Sequence, residues 1–185
     1  MNTSNLVIRN DDVLQIGGAS HHQRKAFKIK TPFEWFLEAD EVFKEYQYPC
    51  TLAILSEGIK EYPEWVKYII KNQHRYTIEL HGSSHLWYNQ MTAEEGYNDL
   101  ERAIEDIENT FHVKVTTWYV PFGRKNIPDW GHKVCKELGI KMDVPTFKCL
   151  PNNYKQAGRK QINFHYWCQS QNSKIKRIIK ELCKK

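Results

Sequence analysis

Long apolar runs are missing from this chain. Nothing approaches the roughly 20 consecutive apolar residues of a membrane-spanning helix, and fragments such as Thr51–Leu55 and Trp65–Ile70 suit a packed core instead. Cysteine pairing motifs are missing too. The five cysteines, Cys50, Cys135, Cys149, Cys168 and Cys183, are scattered, odd in number and free of any CxxC pair, so reduced, packed thiols are expected. The start does not read as a secretion signal: the first basic residue is Arg9, and two aspartates follow at once, so a cytoplasmic protein, or a mature form whose leader is absent, is expected. No repeat or low-complexity segment appears, and the composition excludes a collagen-like, coiled-coil or largely disordered chain. Nor is charge of one sign spread along the sequence. The net charge is +5, but Lys174–Lys185 holds six basic residues against Glu181 alone, so the remainder is balanced. A basic tail on a neutral body is not the footprint of a nucleic-acid binder, and no nucleic acid is expected as a partner.

What is present is an alternation of two periodicities over 185 residues, enough for one domain with its own core. Asn5–Asn10 reads as a buried strand that presents Asp11 and Asp12 at its end, and residues 13–30 read as a loop. Thr31-Pro32-Phe33-Glu34 opens a helix to about Tyr46, and Thr92-Ala93-Glu94-Glu95 opens a longer one to about Phe111; each has the form of a capping box. Further helices are expected over Pro63–Asn72, Pro128–Leu138 and Ser173–Lys184. Further strands are expected over Cys50–Leu55, Tyr76–Leu80, Val113–Val120, Ile140–Val144 and Gln161–Tyr166, with a loop over residues 145–160. Such alternation predicts a parallel α/β sheet or barrel. Sites in those folds gather where strands end, and here the strands end in Asp11-Asp12, His81, Pro121-Phe122 and His165.

Those residues can do chemistry together. His81 and His85 are four apart, a spacing that can bring two imidazoles onto one divalent ion. Adjacent acids on an extended strand point to opposite sides, so one of Asp11 and Asp12 can face a metal and the other a substrate. Two imidazoles and one carboxylate leave coordination positions open, as a catalytic metal requires. Arg9 and Asp11 are two apart and share a strand face, so Arg9 can hold Asp11 ionised, with Arg124 as its rival. Trp87, Tyr88, Trp118, Tyr119 and Trp167 lie near strand ends, where flat rings suit sugar faces; Trp87 is the first choice. Ile175, Ile178, Ile179 and Leu182 form an apolar stripe on a basic C-terminal helix, either a packing face or a patch for an anionic surface.

The order Asn10-Asp11-Asp12, His81-Gly82-Ser83-Ser84-His85, Val120-Pro121-Phe122-Gly123 and Asn163-Phe164-His165 resembles the polysaccharide deacetylase superfamily, the NodB-homology domain of family 4 carbohydrate esterases. The resemblance runs from Leu6 to Trp167 and implies a distorted or incomplete (β/α) barrel, with residues 1–185 as one catalytic domain. It implies that Asp11 is the catalytic base and that Asp12, His81 and His85 bind one divalent ion, with Zn²⁺ first and Co²⁺ or Ni²⁺ next. It further implies that the Phe122 N–H binds the oxyanion and that His165 is the general acid. Pro121 and the aromatics Trp87, Trp118 and Tyr119 are expected to line a carbohydrate or glycan-precursor substrate. The implied reaction is removal of acetyl from an N-acetylated sugar. An O-acetyl or other C–N hydrolase on the same core is the alternative, and a non-catalytic sugar-binding module a further one. The sequence departs from the family where Arg9-Asn10 replace Thr-Phe, where Val13 replaces Gly, and where Tyr119 stands in place of a base-orienting Arg. Asp143 is a candidate for the fourth motif.

Overall fold

The computed structural model describes residues 6–18, 20–144 and 161–184. Six strands form one parallel sheet: β1 (Val7–Val13), β2 (Cys50–Leu55), β3 (Tyr76–Gly82), β4 (Thr117–Tyr119), β5 (Lys141–Asp143) and β6 (Gln161–His165). Their order is β5-β4-β3-β2-β1-β6, and the sheet curls into the expected incomplete (β/α) barrel. Its two edges come close enough for side chains to bridge them. Gln161 on β6 donates to Asp143 Oδ2 on β5 at 3.2 Å and accepts from Arg9 Nη1 at 2.7 Å. Central strand β2 is buried along its whole length, and a run that is apolar but for Thr51 is what a strand covered on both faces requires.

Helices α1 (His21–Phe27), α2 (Pro32–Glu45), α3 (Gly58–Glu61), α4 (Pro63–Lys71), α5 (Ala93–Phe111), α6 (Gly131–Glu137) and α7 (Gln169–Leu182) complete the architecture. Both expected capping boxes form, Thr31 with Glu34 and Thr92 with Glu95. The apolar faces of α2 and α4 meet in an aromatic cluster in which Trp65 packs on Phe36, Phe33 and Tyr166. Ile175, Ile178, Ile179 and Leu182 of α7 are buried, so its apolar stripe is spent on this core and is not a membrane-facing patch. Among the described residues no helix is long and apolar enough to cross a membrane, and Cys50, Cys135, Cys168 and Cys183 are free.

Four expectations need correction. Residues 13–30 are not all loop: Ser20 caps α1 by accepting from the Gln23 N–H at 3.1 Å. This helix shows no apolar period because its one buried residue is Gln23. The fourth strand shrinks from Val113–Val120 to β4, because the Glu79 carboxylate takes the N–H groups of Thr116 and Thr117 at 2.8 Å each. The last helix begins at Gln169, four residues early. The first strand continues through the acid pair to Val13. The loop expected over 145–160 lies outside the described residues.

Backbone contact is closest where α3 meets the end of β1: a Cβ on Gly58 would lie 1.7 Å from the Leu14 carbonyl oxygen. Gly58→Ala should therefore lower stability by about 1–3 kcal/mol, measured as a fall in urea midpoint with an unchanged slope.

Candidate active site at the strand ends

Asp11 and Asp12 do not diverge as neighbours on a regular strand would. Between Asn10 and Val13, β1 gains one residue relative to β2, and Asp12 adopts a left-handed φ of 62°. The bulge re-aims one side chain, so both acids face the same end of the barrel. Aspartate tolerates this backbone better than most residues.

Asp12, His81 and His85 converge. Their candidate ligand atoms all lie within 4.8 Å of one another, with Asp12 Oδ1 3.3 Å from His81 Nε2 and 3.2 Å from His85 Nε2. His81 Nδ1 lies 2.6 Å from the Tyr119 carbonyl oxygen. A carbonyl can only accept, so Nδ1 carries the proton and Nε2 presents its lone pair to Asp12, the arrangement that orients a metal-binding imidazole. The two oxygens of Asp12 are used differently. Oδ2 accepts from Trp167 Nε1 at 3.1 Å and from Gln23 Nε2 at 3.5 Å, while Oδ1 is buried without a hydrogen-bond partner among the described residues. Burial pushes the Asp12 pKa up, but attraction to His165 leads the effects that outweigh it and hold the carboxyl well below the usual range. A buried carboxylate oxygen facing two imidazole Nε2 atoms fits a divalent cation.

Asp11 is held by a buried cation. Arg9, 0% exposed, donates from Nε to Asp11 Oδ1 at 2.5 Å and from Nη2 to Oδ2 at 3.0 Å. Asn163 Nδ2 adds a third bond to Oδ2 at 3.1 Å. Burial alone would raise the Asp11 pKa; Arg9, by attraction and hydrogen bonding, lowers it below the ordinary value. Three donors fill three of about four lone-pair directions, so one remains for a substrate proton. The Tyr119 ring covers the Arg9 guanidinium at 3.9 Å, and Gln161 holds its far side. Of the two arginines considered, Arg9 thus contacts Asp11, while Arg124 is exposed on the turn Gly123–Asn126.

His165 ends β6 opposite Asp11, with Nε2 3.7 Å from Asp12 Oδ2. Phe122 follows β4 with a left-handed φ of 58°. Its ring sits edge-on to His85, 4.1 Å between centroids, and stacks on Trp87 at 4.2 Å. Trp87 is 43% exposed and stands on the rim. Trp118 does not: it is 0% exposed and stacks parallel to Trp130 inside the core, out of reach of a substrate. Tyr119 is likewise buried, its ring given to Arg9, and Pro121 is buried beside it. Gln23, Gln161 and Asn163 were not foreseen. Single amides leave no periodic or spacing signal, and only the place of Asn163 two residues before His165 hinted at a shared strand face.

The sequence profile of the family described as polysaccharide deacetylase matches residues 31–142. The chain belongs to the polysaccharide deacetylase family. The matched stretch contains His81, His85 and Phe122, but it begins after the acid pair and ends before His165, so geometry alone unites the full set. Three solved structures share the deacetylase fold at low identity. A CE4 family pseudoenzyme from Bacillus anthracis superposes with a TM-score of 0.71 at 14% identity, over 99% of this chain and 62% of that one. The peptidoglycan deacetylase PdaC from Bacillus subtilis gives 0.62 at 15%, over 100% and 86%. A family 4 carbohydrate esterase from Streptomyces lividans gives 0.67 at 11%, over 97% and 88%. The chain thus spans about three fifths of the B. anthracis protein. No curated protein matches it.

Removing Arg9 would leave Asp11 buried without its counter-ion. Arg9→Met should cost about 3–5 kcal/mol, whereas Arg124→Met should stay within about 0.5 kcal/mol of the parent, both measured by urea unfolding.

Proposed function

We propose that this deacetylase-family chain is a metal-dependent hydrolase that removes the acetyl group from an N-acetylated sugar or glycan precursor. The observation that carries this reading is the buried Asp12 Oδ1, without a hydrogen-bond partner among the described residues, between two imidazole Nε2 atoms at 3.2 and 3.3 Å. Asp12, His81 and His85 would hold one divalent ion. The mixed nitrogen and oxygen set suits Zn²⁺, with Co²⁺ or Ni²⁺ as substitutes. Such an ion supplies Lewis acidity toward the amide carbonyl and toward water.

The chain's own groups supply the proton traffic. Asp11, kept ionised by Arg9 and with one lone-pair direction free, accepts a proton from the attacking water. His165, across the sheet register from Asp11, gives a proton to the departing amine nitrogen, without which an amide has a poor leaving group. The Phe122 N–H donates to the oxyanion as the carbonyl carbon becomes tetrahedral. The Phe122 ring, held between Trp87 and His85, fixes that backbone and offsets the cost of its left-handed conformation. The exposed Trp87 face offers a platform for a pyranose ring. The B. anthracis relative is a pseudoenzyme. Against that outcome here, Asp11, Asp12, His81, His85 and His165 are all present at one barrel end.

Acetate release from N-acetylglucosamine oligomers tests the reading. The Zn²⁺-loaded chain should release acetate, and a chelator should stop it. Asp11→Asn and His165→Ala should each lower kcat by about 10²–10⁴-fold, and His81→Ala should abolish metal uptake. Faster release from O-acetylated than from N-acetylated sugars would move the assignment to an esterase. Metal uptake with release from neither would favour a binding module.

A further inference from the structure

His85 differs from His81 in what holds it. The His81 ring is fixed through Nδ1, whereas His85 Nδ1 is buried and has no hydrogen-bond partner among the described residues. Beyond its packing against the Phe122 ring, its direction comes from the segment that carries it. That segment is gripped on both sides by buried polar side chains from other elements.

Asp99 on α5 accepts from the Ser83 N–H at 3.4 Å, the Ser83 hydroxyl at 2.5 Å and the Tyr88 hydroxyl at 2.7 Å, and Arg102 approaches from the solvent side at 3.4 Å. Asn126, 0% exposed, donates to the Leu86 carbonyl at 2.7 Å and accepts from the Asn89 N–H at 3.1 Å. Anchors at 83, 86, 88 and 89 therefore bracket His85. Gly82 makes the first grip possible: at φ +120°, a Cβ there would lie 2.1 Å from the Tyr88 hydroxyl oxygen. Burying a carboxylate and an amide is costly unless their bonds are made. Apolar packing would hold a loop in place at less cost, but it would not fix the loop's direction.

We propose that Asp99 and Asn126 are positioning residues for the metal centre, clamping the 82–91 loop so that His85 Nε2 meets Asp12. This rests on the metal reading above. The clamps supply from outside the ring what the Tyr119 carbonyl supplies to His81 directly.

Co²⁺ titration of the full chain, read by visible absorption and by competition with a chelator, tests it. The parent protein should bind one ion with a defined spectrum. Asp99→Asn and Asn126→Ala should weaken affinity about 10–100-fold, the range for residues that orient a ligand, and should alter the spectrum of the bound ion. Tyr88→Phe is nearly isosteric, removes one donor from Asp99 and should shift affinity in the same direction; it serves where Asp99→Asn does not fold. Thr92→Ala weakens the start of α5 without touching the loop and should leave affinity unchanged. Parent-like affinity and spectrum in Asn126→Ala and Tyr88→Phe would overturn the inference while leaving the metal centre standing. Equal losses in Thr92→Ala and Asp99→Asn would also overturn it, by reducing the effect to general stability. A parent protein that takes up no ion would overturn the metal reading itself, and the inference with it.

Discussion

The extra residue in β1 is the constraint on which the site depends. Without it, Asp11 and Asp12 would face opposite sides of the sheet, and no single pocket could use both. With it, Arg9 and Asp11 keep the regular alternation and share the barrel interior, while Asp12 swings to the imidazoles of β3 and its loop. One local irregularity thus produces two carboxylates with separate environments. Asp11 is held by a guanidinium and an amide, with one lone-pair direction left. Asp12 has one oxygen hydrogen-bonded and one that, among the described residues, faces only the imidazoles.

The fold was largely legible in the sequence because its signals are periodic. Capping boxes at Thr31 and Thr92, the apolar run of β2 and the stripe of α7 each follow from a repeat that burial enforces. The motif residues at the strand ends were legible because parallel sheets collect chemistry there, and the pairing of Arg9 with Asp11 followed from their spacing. What escaped had no period. Helix α1 buries only a glutamine, so it left no stripe, yet that glutamine reaches Asp12. The shortening of β4 depends on Glu79, a residue distant in sequence that competes for the N–H groups a strand partner would have taken. Trp118 was misplaced because aromatics at a strand end look alike whether they face a cleft or a core, and only packing against Trp130 separates the cases.

The two imidazoles show how a chain can solve one orientation problem twice. The His81 ring is anchored by a single backbone carbonyl, the least costly solution, because β3 and β4 are already adjacent. The His85 ring stands on a loop, where no neighbouring strand offers a carbonyl, and rigidity has to be assembled from several side chains around it. Phe122 joins the two halves. Its ring touches His85 while its backbone continues from the same β4 segment whose carbonyl holds His81.

The bridge from Gln161 to Asp143 has a consequence beyond the site. Among the described residues the barrel closes there through side chains, not through a ladder of backbone bonds, so β5 and β6 keep the status of sheet edges. Unpaired edges invite pairing with other chains. These two are short, three and five residues, and β5 ends in a carboxylate, features that discourage a second molecule from extending the sheet. The gap in the barrel is thus compatible with a protein that does not polymerise through its own strands.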